Sequence, residues 1–303
     1  MSEPTGFKSG FVAVVGRPNA GKSTLVNALV GSKVSIVTPV PQTTRNRILG
    51  ILSRSDAQVI LMDTPGVHKP LSRLNEQMMN FVRQALSDRD LAVLIVDASE
   101  KFGKGDQFVI DLFAEYAPRA ILALNKIDHV HKPALLPLMD RYSKLYNFEE
   151  IIPVSALHSD GTDELLAAII QRLPVGPEYF PSDEYTDQPE RFLAGEIIRE
   201  KIIQQTKQEL PYASAVLVDR FEEDGSLTRI HATIVVEKES QKPIIIGRGG
   251  SRLKEIGTAA RQELERLFPP KVFVELYVKV EPNWRDNRAL IAELDYRHEG
   301  STE

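Results

Sequence analysis

Short apolar runs punctuate the first half of the chain: Phe11–Val15, Val59–Met62, Leu91–Val96, Ala120–Leu124 and Ile151–Val154. They are rich in Val, Ile and Leu and barely alternate with polar residues. Buried parallel strands covered on both faces carry this pattern. Between them lie stretches with helical spacing: Ser23–Val30, Arg73–Leu86, Gln107–Tyr116, Leu135–Leu145 and Thr162–Leu173. Strand then helix, repeated, predicts a doubly wound α/β sheet. Ligands on such sheets bind beyond the carboxyl ends of the strands.

The pattern changes after Leu173. Pro174, Pro177, Pro181 and Pro189 punctuate a stretch that also holds Asp183, Glu184, Asp187 and Glu190. Proline blocks helix continuation and stiffens a connection, so residues 174–190 are expected to link two domains, 1–173 and 191–303. The second domain is predicted as a smaller α+β unit. Its order is helix Phe192–Glu209, strands Ala213–Phe221 and Thr228–Glu237, helix Ser251–Leu267, strand Lys271–Val280 and helix Trp284–Leu294. Asp224-Gly225 marks a hairpin turn. No internal repeat is visible.

Length and composition agree with this division. The chain has 303 residues, enough for two domains at about 100–200 each, and is 42% hydrophobic and 26% charged, as in ordinary globular chains. It has no cysteine, which excludes disulfides, thiolate metal sites and cysteine nucleophiles. Its six histidines form no His-Glu-x-x-His pairing, so zinc chemistry is not expected. The polar N-terminus and the absence of a long apolar run predict a cytoplasmic protein. Net charge is −5, which by itself points away from phosphate backbones.

Residues 16–23 modify that first inference. Gly16-Arg17-Pro18-Asn19-Ala20-Gly21-Lys22-Ser23 is G-x4-G-K-S, directly after an expected strand and opening an expected helix. Backbone amides at the helix start face an anion, Lys22 reaches the outer phosphates, and Ser23 can bind Mg²⁺. Thr24 extends this loop into its helix. The next strand ends at Asp63-Thr64-Pro65-Gly66, where Asp63 can hold Mg²⁺ and the Gly66 N–H can reach a γ-phosphate. Asn125-Lys126-Ile127-Asp128 follows another strand. The acceptor-only carboxylate of Asp128 suits the adjacent N–H donors of guanine. Asn125 can brace the phosphate loop, and the Lys126 stem can lie over the base. Ser155-Ala156 completes the set, with the Ala156 N–H aimed at guanine O6.

These motifs, in this order, resemble those of translation-factor-type GTPases. The resemblance implies GTP and GDP as ligands, Mg²⁺ as cofactor, and Lys22, Thr44 and Gly66 as catalytic groups. It also asks for a threonine between the phosphate loop and Asp63. Thr43 and Thr44 both qualify; Thr44 is favoured, by analogy with related Thr-Thr-Arg segments. One departure stands out. Many small GTPases place a glutamine after D-x-x-G to orient water, whereas this chain has Val67. Slow intrinsic hydrolysis is expected, with K⁺ bound near Asn19 as the proposed aid. His68 is expected to be an ordinary loop residue rather than a general base.

In the second domain Gly247-Arg248-Gly249-Gly250 is G-x-x-G, after an Ile-Ile-Ile run and before an amphipathic helix. It resembles the KH domain, whose G-x-x-G loop clamps about four nucleotides of single-stranded RNA. Ser251, Arg252 and Lys254 lie free of the helix's apolar stripe and are expected beside the loop. The half from residue 181 is the acidic one, with 18 basic and 23 acidic side chains against 19 and 19 in residues 1–180. Yet residues 238–254 hold five basic side chains and one acidic. RNA contact is therefore expected at this cluster. Trp284, Arg285 and Arg288 are further RNA candidates, with packing the favoured role for Trp284.

Taken together, the chain resembles the Era family of bacterial GTPases over essentially its whole length. That resemblance implies binding near the 3′ end of 16S rRNA, action in assembly of the 30S ribosomal subunit, and peripheral association with the inner membrane. A monomer is expected. An RNA chaperone with a structural GTP site, or a GTPase regulating RNA modification or a membrane process, are the alternatives.

Overall fold

The computed structural model describes residues 6–117, 119–206, 210–268 and 271–294. They form two compact units that meet in sequence between Asp187 and Gln188.

The first unit is a six-stranded sheet. Its strands are β1 (Lys8–Gly16), β2 (Ile48–Ser53), β3 (Ala57–Asp63), β4 (Leu91–Asp97), β5 (Ala120–Asn125) and β6 (Glu150–Pro153), in the order β2-β3-β1-β4-β5-β6. All neighbours are parallel except β2 and β3. Helices α1 (Lys22–Val30) and α5 (Thr162–Arg172) bury Leu25, Val26, Leu165 and Ile169 against one face. Helices α2 (Arg73–Asp88), α3 (Lys104–Tyr116) and α4 (Leu135–Leu145) bury Val82, Phe113 and Tyr142 against the other. This is the doubly wound sheet expected from the unalternating runs. Successive connections leave β1 towards β3 on one side and β4 on the other. The switch in direction opens a crevice at the end of β1.

Two features depart from expectation. Strand β2 was not anticipated: Ile48-Leu49-Gly50-Ile51-Leu52 is apolar like the other runs, but it pairs antiparallel at the sheet edge. Residues 174–187, expected as connecting chain, are fastened along that sheet. Ser9 donates its backbone N–H to Pro174 (3.1 Å), Ile51 to Tyr185 (3.0 Å), and Leu49 to the Asp187 carboxylate (3.1 Å). Buried Gln58 is the hub. Its amide nitrogen donates to Phe180 O (2.7 Å) and its oxygen accepts from Tyr179 N (2.8 Å) and Phe180 N (3.1 Å). The segment thereby covers an edge that would otherwise present open hydrogen-bonding groups.

The second unit begins with α6 (Glu190–Gln205) and a short α7 (Leu210–Ala213). The end of the expected helix, at 207–209, lies outside the described residues. A hairpin follows, β7 (Ser214–Asp224) and β8 (Leu227–Val236), turning at Gly225. Helices α8 (Lys242–Ile246) and α9 (Ser251–Leu264) lead to β9 (Val272–Val280), which pairs parallel to β8. Helices α6 and α9 bury Ile197, Ile198, Ile256 and Ala260 against one face of the sheet. The last helix is shorter than expected: a 3₁₀ turn at Trp284–Asp286, then α10 (Arg288–Glu293). Its cap is Asn287, whose side chain accepts from the N–H groups of Ala289 (3.1 Å) and Leu290 (3.4 Å).

Replacing Gln58 with Leu removes the polar partner of three backbone groups. Each unsatisfied buried group costs about 1–3 kcal/mol. We expect Gln58→Leu to lower stability by about 2–4 kcal/mol and to speed proteolysis within 176–186. Unchanged cleavage there would show that the segment is held by other contacts.

Candidate functional site

Four loops at the carboxyl ends of β1, β3, β5 and β6 converge at the crevice, and a buried amide ties three of them together. Asn125 Nδ2 donates to Ala20 O in the phosphate loop (2.8 Å), and Asn125 Oδ1 accepts from Ala156 N after β6 (2.9 Å). Gly21 packs so closely that a Cβ there would lie 2.1 Å from Asn125 Nδ2, and its φ of 97° is left-handed. Only glycine meets both conditions. The expected bracing by Asn125 is present. The Ala156 N–H, expected on guanine O6, is instead committed to Asn125.

The phosphate loop runs Gly16, Arg17, Pro18, Asn19, Ala20, Gly21, with Thr24 half-buried in the first turn of α1. Lys22 is buried. Its ammonium donates to Arg17 O (3.0 Å), and burial pushes its pKa down to about 8, although Asp63 acts in the opposite sense. Asp63 is also buried, and burial pushes its carboxyl up against the pull of Lys22 and the Ser23 hydroxyl. Ser23 Oγ donates to Asp63 Oδ2 (2.7 Å) and lies 2.8 Å from Thr44 Oγ1. Structure thus brings Thr44, rather than Thr43, to Ser23. Asp63 Oδ1 is buried with no hydrogen-bond partner among the described residues. A buried, unpartnered carboxylate oxygen beside two hydroxyls is an all-oxygen set that suits Mg²⁺.

Thr64 donates its hydroxyl to Val14 O (2.8 Å), and Pro65 and Gly66 are buried. Gly66 lies against Pro18, where a Cβ would meet backbone at 2.7 Å. Val67 donates its N–H to Gly16 O (3.0 Å) and packs its side chain into the core. His68 donates from Nδ1 to Gly66 O (2.6 Å), so it holds the turn.

At the base end, Ser155 Oγ donates to Asp128 Oδ1 (2.6 Å) and holds that carboxyl below its ordinary value. Lys126 pairs with Asp97 (2.6 Å). Burial pushes Asp97 up, but bonds from Lys126 and Ser99 outweigh it and leave its pKa lowered. Arg17 pairs with buried Asp106 (3.0 Å), which also accepts from Gly103 N at the start of α3 (2.8 Å). Sequence reasoning missed both Asp97 and Asp106. The signal for Asp97 was its place at the end of an apolar run, like Asp63.

In the second unit Gly247, Gly249 and Gly250 have φ of 74°, 59° and 81°. The loop needs glycine conformations, and nothing lies within 4 Å of a Cβ added at 249 or 250. Arg248, Ser251 and Lys254 are exposed beside it. Arg252 is half-buried beside it too, against Gly247, and donates from one guanidinium nitrogen to Ile244 O at the end of α8 (2.8 Å). A groove of about 500 Å³ runs from Gly250 between α9 and β9, lined by Lys254, Gly257, Arg261, Phe273 and Glu275. The β9 residues were not foreseen. Trp284 is fully buried and donates from Nε1 to Ala213 O (2.9 Å), so packing is its role. Arg285 pairs with Glu237 (2.6 Å), while Arg288 is exposed.

A family model described as "50S ribosome-binding GTPase" matches residues 11–126, and one described as "KH domain" matches 209–285. The chain is 49% identical over 292 residues to GTPase Era of Syntrophus aciditrophicus, covering 96% of this chain and 95% of that one. It is 44% identical over 293 residues to GTPase Era of Staphylococcus haemolyticus, covering 96% and 98%. A crystal structure of an Aquifex aeolicus Era variant bound to GDP·AlF4⁻ superposes with a TM-score of 0.92 at 40% identity, covering 96% and 99%. A structure of Era with MgGDPNP and nucleotides 1506–1542 of 16S ribosomal RNA gives 0.91, also at 40% identity over 96% and 99%.

The lowered Lys22 pKa sets a pH dependence. Phosphate binding favours the charged ammonium and so raises its pKa. Below about pH 8 the free site already carries that charge. Above it, the site must take up a proton to bind. GTP affinity should hold from pH 6.5 to 7.5 and fall as pH rises from 8 to 10, by calorimetric titration. Lys22→Met should abolish the slope; a flat profile in the parent protein would contradict the buried-ammonium account.

Proposed function

Because the chain belongs to the Era family of GTPases, we propose that it couples its nucleotide state to binding of the 3′ end of 16S rRNA during assembly of the 30S subunit. It is a GTPase, hydrolysing GTP to GDP, in which a KH domain follows the catalytic domain. The observation that carries the RNA half of this reading is the G-x-x-G loop opening into the groove between α9 and β9.

The chemistry follows from the crevice. Ser23, Thr44 and Asp63 would hold Mg²⁺, which would supply positive charge to the phosphates. Lys22 exchanges its carbonyl partner for phosphate oxygens. Gly66 offers a backbone N–H to the γ-phosphate, and Asp128, kept ionised by Ser155, selects guanine. Val67 supplies no hydrogen bond to the attacking water, so turnover is slow. We infer K⁺ near Asn19 as the missing positive charge. Asn19 is exposed on the loop in a left-handed conformation, φ 63°.

The γ-phosphate orders the Thr44 and Asp63–Gly66 segments, and hydrolysis releases them. We place the protein in the cytoplasm, where its rRNA partner is made. The peripheral membrane contact that the family resemblance implies needs no spanning segment. Among the described residues no helix is long and apolar enough to cross a membrane.

Coupling requires that RNA affinity differ between nucleotide states. A 3′-terminal 16S rRNA oligonucleotide should bind the GDPNP form about 5–150-fold more tightly than the GDP form. Equal dissociation constants would refute the switch. Separately, GTP turnover should be several-fold faster in KCl than in NaCl at matched ionic strength; equal rates would remove K⁺ from the mechanism.

A further inference from the structure

Among the described residues of this unit, the sheet β7-β8-β9 is covered on one face only. Ile230, Ala232 and Ile234 of β8 point into the core beneath α6 and α9. Alternation sends the intervening positions to the opposite face. There, β9 presents Phe273, Glu275 and Tyr277 in a row, and His231 lies opposite Glu275 on β8. Phe273 is 47% exposed and Tyr277 57%. Two large rings on one small open face are not scattered surface residues.

The row is organised by its carboxylate. Glu275 accepts from His231 Nδ1 (2.8 Å) through one oxygen and from the Tyr277 hydroxyl (3.0 Å) through the other. The His231 and Phe273 rings lie 6.1 Å apart, tilted by 60°. The rings are therefore set by hydrogen bonds and mutual contact while their outer faces stay in water. Phe273 and Glu275 also line the groove beside the glycine loop. The row begins in the groove and continues out of it along the edge strand β9.

We propose that Phe273 and Tyr277 form a stacking platform for unpaired RNA bases adjoining those held in the glycine clamp. This inference rests on the RNA-binding reading of the groove and extends it. A KH clamp accommodates about four nucleotides. Beyond them a single strand is held best by aromatic faces, because every base has a π-face to stack. Phe273 and Tyr277 stand about 13 Å apart at ~3.3 Å per residue, which leaves Glu275 accessible between them. A carboxylate accepts but cannot donate, so it favours amino-bearing base edges such as cytosine N4. The neighbouring charges are paired with each other, Arg229 with Asp224 and Arg220 with Glu222. Binding at the platform is thus stacking rather than phosphate neutralisation, and it adds little salt dependence.

The test uses the full-length protein and two labelled RNAs: the 3′-terminal 16S rRNA segment, and a tetranucleotide that fills the clamp alone. Tyr277→Ala, outside the groove, should weaken the long RNA about five- to hundredfold at both 50 and 200 mM salt and leave the tetranucleotide within about twofold, and adding Phe273→Ala should weaken the long RNA further. Unchanged affinity for the long RNA overturns the platform and leaves this face to a protein partner. Aspartates at Arg248 and Gly249 should weaken both RNAs; if they weaken neither, the groove reading fails, whatever the aromatic variants do. Tyr277→Trp guards against misfolding. It should retain affinity, and its added indole should be quenched by the long RNA; a binding-competent variant without quenching counts against the platform.

Discussion

The nucleotide crevice depends on one buried side-chain amide. Asn125 donates to the phosphate loop and accepts from the loop after β6, and it sits directly after β5. Three segments far apart in sequence thereby share a single rigid joint. The joint leaves no space for a side chain at Gly21, where the backbone is also left-handed. The glycine answers two demands at once: the loop must curl to aim amides at an anion, and it must touch the asparagine that fixes its distance from the base site. Recognition of phosphate and of guanine are in this way parts of one geometry.

Beneath that joint lies a stored imbalance. Lys22 and Asp63 are both buried, and burial moves each towards its neutral form. Their mutual attraction offsets part of the cost, as expected for a buried pair. The remainder is relieved by ligands: phosphate supplies negative charge to Lys22, and a divalent cation supplies positive charge to the unpartnered Asp63 oxygen. A site built this way trades stability of the free protein for affinity. It also places the cost on the residues whose partners change when the γ-phosphate leaves.

Much of this was legible in the sequence because the chemistry is local. Glycine, lysine and serine at fixed spacing after an apolar run define the phosphate loop, and the segments ending in Asp63, Asn125 and Ala156 follow other strand ends. What was not legible depends on tertiary pairing. The run 48–52 resembles a parallel strand, and only its partner β3 makes it an antiparallel edge. The prolines after Leu173 mark a stiffened connection between domains, but only tertiary structure shows buried Gln58 holding that segment to the sheet through three backbone groups. Phe273 and Tyr277 read as ordinary strand residues, because which side of β9 faces water is decided by α6 and α9. The single tryptophan packs into the core, as its favoured reading had it.

Net charge misleads for a related reason. The second unit lies in the acidic half of the chain, but several of its carboxylates are spent internally: Glu196 on Arg199, Glu200 and Glu263 on Lys201, and Glu237 on Arg285. Paired charges contribute little field at a distance. Arg248 and Lys254 stand exposed at the glycine loop and groove, so the potential an RNA strand meets there is set by a few cations rather than by the domain's sum. An acidic domain with a small basic mouth attracts nucleic acid weakly in general and strongly at one place. With aromatic faces continuing from the groove, affinity then depends on how many unpaired bases the strand can offer, which favours a single-stranded end over a duplex.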